Sequence, residues 1–282
     1  MLRTTSTAAA VCLLSLGGSA YGRAREAGGV VSQGRVLRVC ADPDNLPYSN
    51  RQGQGFENRI ATVIARGLGA TVAYTWWPEQ QGFLRHTLSA GRCDTVIGIT
   101  AGADRVLTTE PYYCSSYMFV ERRARRQGIR SFDDPRLRNL KIGVPVIGQD
   151  YNSLPPAVAL ARRGLVQHVV GYTLFASDAT DGPWAKLIDA VARGDVDVAI
   201  AWGPPAGYYR RRARVSLDLV PVSESPDAGV PFTYAIAVGV RRDDVALRGE
   251  VQRVLTERHT AIQRILRAYG VPLVHNARAQ CG

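Results

Sequence analysis

The chain has 282 residues, 46% of them hydrophobic, enough to bury two cores of ordinary domain size. Its formal charge is +11, almost all of it arginine, because Lys141 and Lys186 are the only lysines. The basic clusters Arg122 to Arg126 and Arg210 to Arg212 carry no nucleic-acid-binding fold motif, which excludes nucleic acid as the expected partner and leaves a solvated surface or a face for an acidic protein.

In chain order, Arg3 precedes an uncharged run with an apolar centre at Ala8 to Leu16 and small residues Gly17 to Ala20, the layout of a secretory signal over residues 1–22. No later stretch approaches the roughly 18 apolar residues of a membrane span. The expected location is the periplasm. Removal of the signal leaves Cys40, Cys93, Cys114 and Cys281, which permit three complete pairings that sequence does not choose between. If Cys40 ends one parallel strand and Cys93 begins its neighbour, the two stand too far apart to bond. Their spacings fit no zinc motif.

Arg35 to Cys40 reads as a strand, Ala41 to Gly55 as a loop, and Glu57 to Arg66 as a helix whose Ile60, Val63 and Ile64 share one face. A strand at Thr71 to Trp76, a helix at Gly82 to Ala90 and an apolar strand at Asp94 to Ile99 complete a βαβαβ unit, which implies a parallel sheet flanked by helices. The cycle repeats: strand Lys141 to Val146, helix Leu154 to Arg163, strand Val166 to Tyr172, helix Trp184 to Arg193, strand Asp197 to Trp202. Gly91-Arg-Cys-Asp94-Thr-Val-Ile97 matches Gly194-Asp-Val-Asp197-Val-Ala-Ile200 at the same point of each cycle. Phe232 to Val240 reads as a further strand and Val245 to Tyr269 as one long or two short helices. The expected architecture is therefore two α/β lobes, 35–117 with 237–282 and 118–236. Two hinge crossings join them, near Tyr117 to Glu121 and Phe232 to Val238.

No nucleophile elbow, phosphate loop or dinucleotide fingerprint is present, and nothing asks for a cofactor. The four histidines have no metal-ligand spacing and read as structural or surface groups. Asp42, Asp44 and Glu57 fall near one strand end; as paired carboxylates they suit acid–base work, but with no positioned partner they read first as loop-solvating groups. In open α/β sheets ligands bind beyond the carboxyl ends of the strands. The loops found there are rich in aromatic, amide and Gly residues and define a cleft: Asp42, Asn45, Tyr48, Trp76, Trp77, Thr100, Tyr112 and Tyr113 on the first lobe, Gln149, Asp150 and Trp202 on the second.

The first unit, with Val39-Cys-Ala-Asp-Pro-Asp-Asn-Leu-Pro-Tyr48, Gly55-Phe-Glu57 and Thr108-Thr-Glu-Pro-Tyr-Tyr113, resembles type II (family 3) periplasmic solute-binding proteins. One branch is matched more closely. The segments Tyr74 to Pro78, Pro155 to Gly164, Ala201 to Pro204 and Tyr269 to Pro272 are similar to those of the quinoprotein (methanol) dehydrogenase-associated binding proteins, over about Arg35 to Val274. That resemblance implies a non-catalytic accessory or maturation partner of a periplasmic PQQ-dependent methanol dehydrogenase, of calcium or lanthanide type, and of its cytochrome c. It also implies a monomer that holds a partner segment or ligand in its cleft. Amino-acid-binding relatives clamp the ligand carboxylate with an arginine about nine residues before the Pro-Tyr pair; here Arg105 lies only six before Pro111, which puts amino-acid recognition in doubt. Two other readings stand beside this one: a transport receptor delivering a small apolar or aromatic solute to an ABC permease, and an enzyme on the same scaffold.

Overall fold

The computed structural model describes residues 34–146, 154–174, 184–222 and 231–274; the expected signal segment, Cys281 and the cleft candidates Gln149 and Asp150 lie outside them. The first unit runs β1 (Arg35–Ala41), β2 (Asp44–Asn45), β3 (Ser49–Asn50), α1 (Phe56–Gly67), β4 (Ala70–Trp76), α2 (Phe83–His86), β5 (Thr95–Thr100) and β6 (Leu107–Thr108). β7 (Tyr113–Arg122) leads into the second, which runs β8 (Ile142–Val146), α3 (Pro155–Arg162), β9 (Val169–Thr173), α4 (Ala185–Arg193), β10 (Val198–Trp202), α5 (Gly203–Arg210) and β11 (Leu217–Pro221). The chain returns through β12 (Thr233–Val240) and ends on α6 (Val245–Glu257) and α7 (His259–Ala268).

The strand order β4-β1-β5-β12-β7-β10-β8-β9 contains the same pattern twice. In each unit the first strand lies between the second and third, and all three are parallel. The sequence repeat has a structural meaning here. The Asp94 amide donates to Arg38 O at 2.7 Å while the Arg38 amide donates to Asp94 Oδ2; the Asp197 amide donates to Lys141 O at 2.9 Å while the Lys141 amide donates to Asp197 Oδ2. Each aspartate thus ties the entry of the third strand to the start of the first. Gly91 and Gly194, with φ of 69° and 88°, make the turn before it in a conformation that favours glycine.

Between the units, β7 and β12 run antiparallel, pairing Thr233 to Ile236 with Ser116 to Tyr113. The first core packs Ile60 and Ile64 of α1 and Leu255, Ile262 and Leu266 of α6 and α7 against Leu37 and Val39 of β1. On the other face of this sheet a smaller cluster joins Phe83, Leu88, Val96 and Val106 to Cys40 and Cys93. The second unit buries one core around Phe119, Ile142, Leu160 and Ile200 and another beneath α4 and α5.

The structure overturns the geometric objection to a Cys40–Cys93 bond. These residues form a disulfide with a Cα separation of 5.5 Å. Cys93 is not in an extended strand. β5 begins only at Thr95, and the Asp94 amide turns back onto Arg38 O, which brings Cys93 over β1. Cys114 is disulfide-bonded as well. Two further elements depart from expectation. The helix expected at Gly82 to Ala90 holds helical hydrogen bonding only over Phe83–His86, and strand β9 starts after a short 3₁₀ turn at Val166–His168, whereas the C-terminal segment takes the two-helix form of its expectation, dividing at Arg258. Among the described residues, no helix is long and apolar enough to cross a membrane.

Candidate functional site

A cavity of about 630 Å³ opens between the two units, on the carboxyl side of the parallel strands. β1 delivers Asp42 and the loop through Asn45 to Tyr48, β4 the segment Pro78 to Gln81, and β5 the residues Gly98 to Thr100. From the second unit come Leu154, Leu174, Trp184 and Trp202. The antiparallel pair contributes Tyr113 and Tyr117 from β7 and Tyr234 and Ile236 from β12.

Of the residues expected in the cleft, Asp42, Asn45, Tyr48, Thr100, Tyr113 and Trp202 line this cavity. Trp76, Trp77 and Tyr112 do not. β4 is the sheet edge, so Trp76 stacks on Tyr74 at 4.5 Å with Arg51 over it, while Trp77 stacks on His86 at 5.1 Å. Tyr112 is buried in the first core and donates its hydroxyl to Ile97 O at 3.1 Å. Arg105 is exposed and lines a smaller neighbouring pocket with Arg85, on the far side of Glu79 and Gly98. Sequence reasoning passed over Glu79, Tyr117, Trp184 and Tyr234, and gave Glu57 to loop solvation.

The walls are of two kinds. One is aromatic: Trp202 meets Tyr117 at 5.3 Å and Tyr234 at 5.6 Å, both edge to face, and packs against three of the hydrophobic cores. Burial, aided by the neighbouring Glu57 carboxylate, raises the Tyr113 and Tyr48 phenols well above the usual tyrosine range, so both remain neutral donors. The other wall is acidic. Asp42 spends its carboxylate on the backbone: Oδ1 accepts from the Asp44 amide at 2.8 Å and Oδ2 from the Glu79 amide at 2.6 Å. It fixes two rims of the cavity at once. Glu79 accepts from Asn45 Nδ2 at 3.0 Å.

Glu57 lies in the first turn of α1, and its carboxylate has no hydrogen-bond or ion-pair partner among the described residues. Gly55 lets the chain approach Tyr48 O closely enough for the Glu57 amide to donate to it at 2.9 Å, since a β-carbon on Gly55 would overlap that carbonyl. Gly98 clears the space in which the Glu57 carboxylate lies across β5; a β-carbon there would collide with Oε1. Burial first, then the charges of Glu79 and Asp42, push the Glu57 carboxyl well above the usual carboxylate range.

Desolvation by the cavity walls and then the Asp42 charge move Glu79 up to about 7 from an ordinary value of 4.5, against the lowering effect of its bond from Asn45, although the side chain stays exposed at the rim, which weakens the effect. The folded state therefore holds this proton more tightly than the unfolded chain. The stability this contributes is complete below about pH 4.5 and is lost as the pH rises through 7. Glu79→Gln is expected to flatten the fall in melting temperature between pH 5 and pH 8 and to raise the pH 8 value by ~2 °C, a modest gain because water reaches this side chain. Thermal melts of both proteins at the two pH values measure it; equal slopes would remove Glu79 from the account.

Among the described lining residues there is no lysine, arginine or histidine, and no group of three or more His, Cys, Asp or Glu is placed to hold a metal ion. The cavity can surround an apolar or aromatic group, donate phenolic hydrogen bonds and neutralise positive charge. Its described wall offers an anion no cationic partner.

A family model for bacterial extracellular solute-binding proteins, family 3, matches residues 37–271. Protein MoxJ of Methylorubrum extorquens is 32% identical over 246 residues, spanning 85% of this chain and 82% of that protein. Periplasmic binding protein XoxJ from Methylobacterium extorquens AM1 is similar in structure with a TM-score of 0.71 at 34% identity, over 85% of this chain and 100% of that one. MxaJ from Methlophaga aminisulfidivorans MPT gives a TM-score of 0.74 at 28% identity, over 84% of this chain and 100% of that one. An ancestral cationic amino acid solute-binding protein, 20% identical, shares the fold with a TM-score of 0.65 over 83% of this chain and 95% of that one.

Proposed function

Since this chain belongs to the bacterial extracellular solute-binding proteins of family 3 and has their two-lobed type II fold, we propose that it is a non-catalytic periplasmic binding protein serving a PQQ-dependent methanol dehydrogenase. Its role in this reading is that of an accessory or maturation partner which holds a segment of the enzyme in the cavity. The lobes are 35–117 with 237–282 and 118–236, and β7 and β12 act as the hinge. The observation that supports the accessory reading over an amino-acid receptor is the cavity wall: it is aromatic and acidic, and Arg105, the arginine nearest the clamp position, lines a different pocket. Support for the branch comes from the likeness to MoxJ, MxaJ and XoxJ over most of the chain. The arginine-rich exterior supplies steering toward an acidic partner, so association should slow as salt rises.

The test is calorimetric titration of the mature protein with the metal-free and metal-loaded forms of its native methanol dehydrogenase at low and physiological salt. Saturable binding, weakened at least tenfold by Trp202→Leu, is the expected result; Trp76→Leu, at the sheet edge, should leave it unchanged. No binding to either form, with a small solute retained by the purified protein, would replace the accessory role by that of a transport receptor. Turnover of a solute, abolished by Glu57→Gln, would replace it by an enzyme.

A further inference from the structure

We propose that the cavity binds an organic cation, an alkylammonium or guanidinium group, with Glu57 as its counter-charge and the Tyr117, Trp202 and Tyr234 rings as its walls. The inference deepens the binding role proposed above and rests on it. The first reason is charge sorting. The sequence carries 35 lysines and arginines against 24 acidic residues, yet the described cavity wall holds Asp42, Asp44, Glu57 and Glu79 and none of the basic residues. Such a wall repels anions and focuses positive charge in a cleft of low-dielectric surroundings.

The second reason is that one of these carboxylates is held ready without a partner. Asp42 is engaged by two backbone amides and Glu79 by Asn45, whereas the Glu57 carboxylate lies over Gly98 at the cavity with no neutralising partner among the described residues. A partly buried carboxylate facing other acids is costly unless a cation joins it. The third reason is the contiguous aromatic wall. Indole and phenol faces attract cations most strongly where water is excluded, and a diffuse guanidinium or alkylammonium suits them better than a hard ion. The carboxylates are not arranged as metal ligands, which points the same way.

Two sources supply this chemistry: the arginine or lysine side chain of a partner's segment, or a free amine. Calorimetry separates them with agmatine, which has a guanidinium and an ammonium but no carboxylate, and with a short peptide carrying one arginine, acetylated and amidated at its ends. L-Arginine and hexanoate serve as comparisons. Agmatine or the peptide should bind, L-arginine should bind more weakly because its carboxylate meets the acidic wall, and hexanoate should not bind. Binding of the peptide alone would assign the cation to a protein segment, and binding of agmatine alone to a free amine; either outcome sustains the proposal.

Glu57→Gln should weaken the bound probe at least tenfold with an unchanged circular dichroism spectrum, since the Glu57 carboxylate makes no hydrogen bond among the described residues. Gly98→Ala, which leaves Glu57 in place but displaces its carboxylate, should reproduce the loss. The proposal is overturned if neither cationic probe binds, if hexanoate binds as well as they do, or if Glu57→Gln binds them unchanged. Dehydrogenase binding by a protein that ignores both cations would leave the accessory role standing and remove only the cation.

Discussion

Replacing Cys40 and Cys93 together by alanine should cost about 4 kcal/mol of stability and lower the melting temperature by ~10 °C, the larger part from chain entropy. The bond joins residues 53 apart, and cross-linking a loop of that length removes roughly this much conformational freedom from the unfolded chain. Loss of packing adds to it, because both sulfurs lie inside a small cluster with Phe83, Leu88 and Val96. The same bond reaches the cavity. Cys40 stands two residues before Asp42, and Cys93 precedes the strand that carries Gly98 and Thr100, so the bond clamps two edges of the cavity floor. Urea unfolding under non-reducing conditions measures the stability term while leaving the Cys114 disulfide intact. A loss below 1 kcal/mol would mean that the parallel pairing of β1 and β5 alone holds these loops.

That disulfide also shows where sequence reasoning fails. Its register argument treated Cys93 as part of an extended strand, but a glycine turn at Gly91 and the capping of Arg38 by Asp94 place it back over β1. The repeat containing Gly91 and Gly194 pointed to both turns; what it lacked was the direction in which they turn. Periodicity located α1, α4 and the parallel strands other than β9 to within about two residues because each presents an apolar face to a core. It overlooked β7 as a full strand because Tyr113 to Glu121 are all buried, so no alternation marks them, and only part of the stretch read as a crossing. α5 was missed for the opposite reason. Its sequence, Gly-Pro-Pro-Ala-Gly, looks like a loop, and its prolines fit because they occupy the first turn, where their missing amides are not needed.

The site divides along the same line. Asp42, Asn45, Tyr48, Thr100 and Trp202 could be found because they lie at or beyond the carboxyl ends of strands. Trp76 and Trp77 satisfy that rule too, but on this edge strand they stack on Tyr74 and His86, and only the residues that follow, Pro78 to Gln81, reach the cavity. Tyr117 and Tyr234 come from the antiparallel crossing pair, whose place between the units follows from pairing rather than from local pattern. Glu57 was seen but misread. Only the fold reveals that a glycine on the neighbouring strand has been left open beneath it.

Glu121→Ala is expected to cost ~3 kcal/mol, with Glu121→Gln falling between it and the parent protein. Glu121 ends the buried part of β7 and is 1% exposed. Its Oε2 accepts from the amides of Gln127 and Gly128 at 2.8 and 2.9 Å, and its Oε1 from the amide of Ile129 at 2.9 Å. Hydrogen bonds to a charged acceptor are stronger than neutral ones, and deleting the acceptor leaves donors in a site that water enters poorly. Glutamine keeps one oxygen and turns an NH₂ toward other donors, hence the intermediate value. Urea unfolding gives the totals, and faster hydrogen exchange at Ile129 and Gly128 would place the loss at these bonds; a cost under 1 kcal/mol would show that the amides find other acceptors. The consequence for binding is specific. The loop held by Glu121 carries Arg123, Arg125 and Arg126, all exposed, while Glu121 itself contributes nothing to the cavity wall. Glu121→Gln should therefore leave agmatine affinity unchanged and, if those arginines steer the dehydrogenase, reduce the salt dependence of its association.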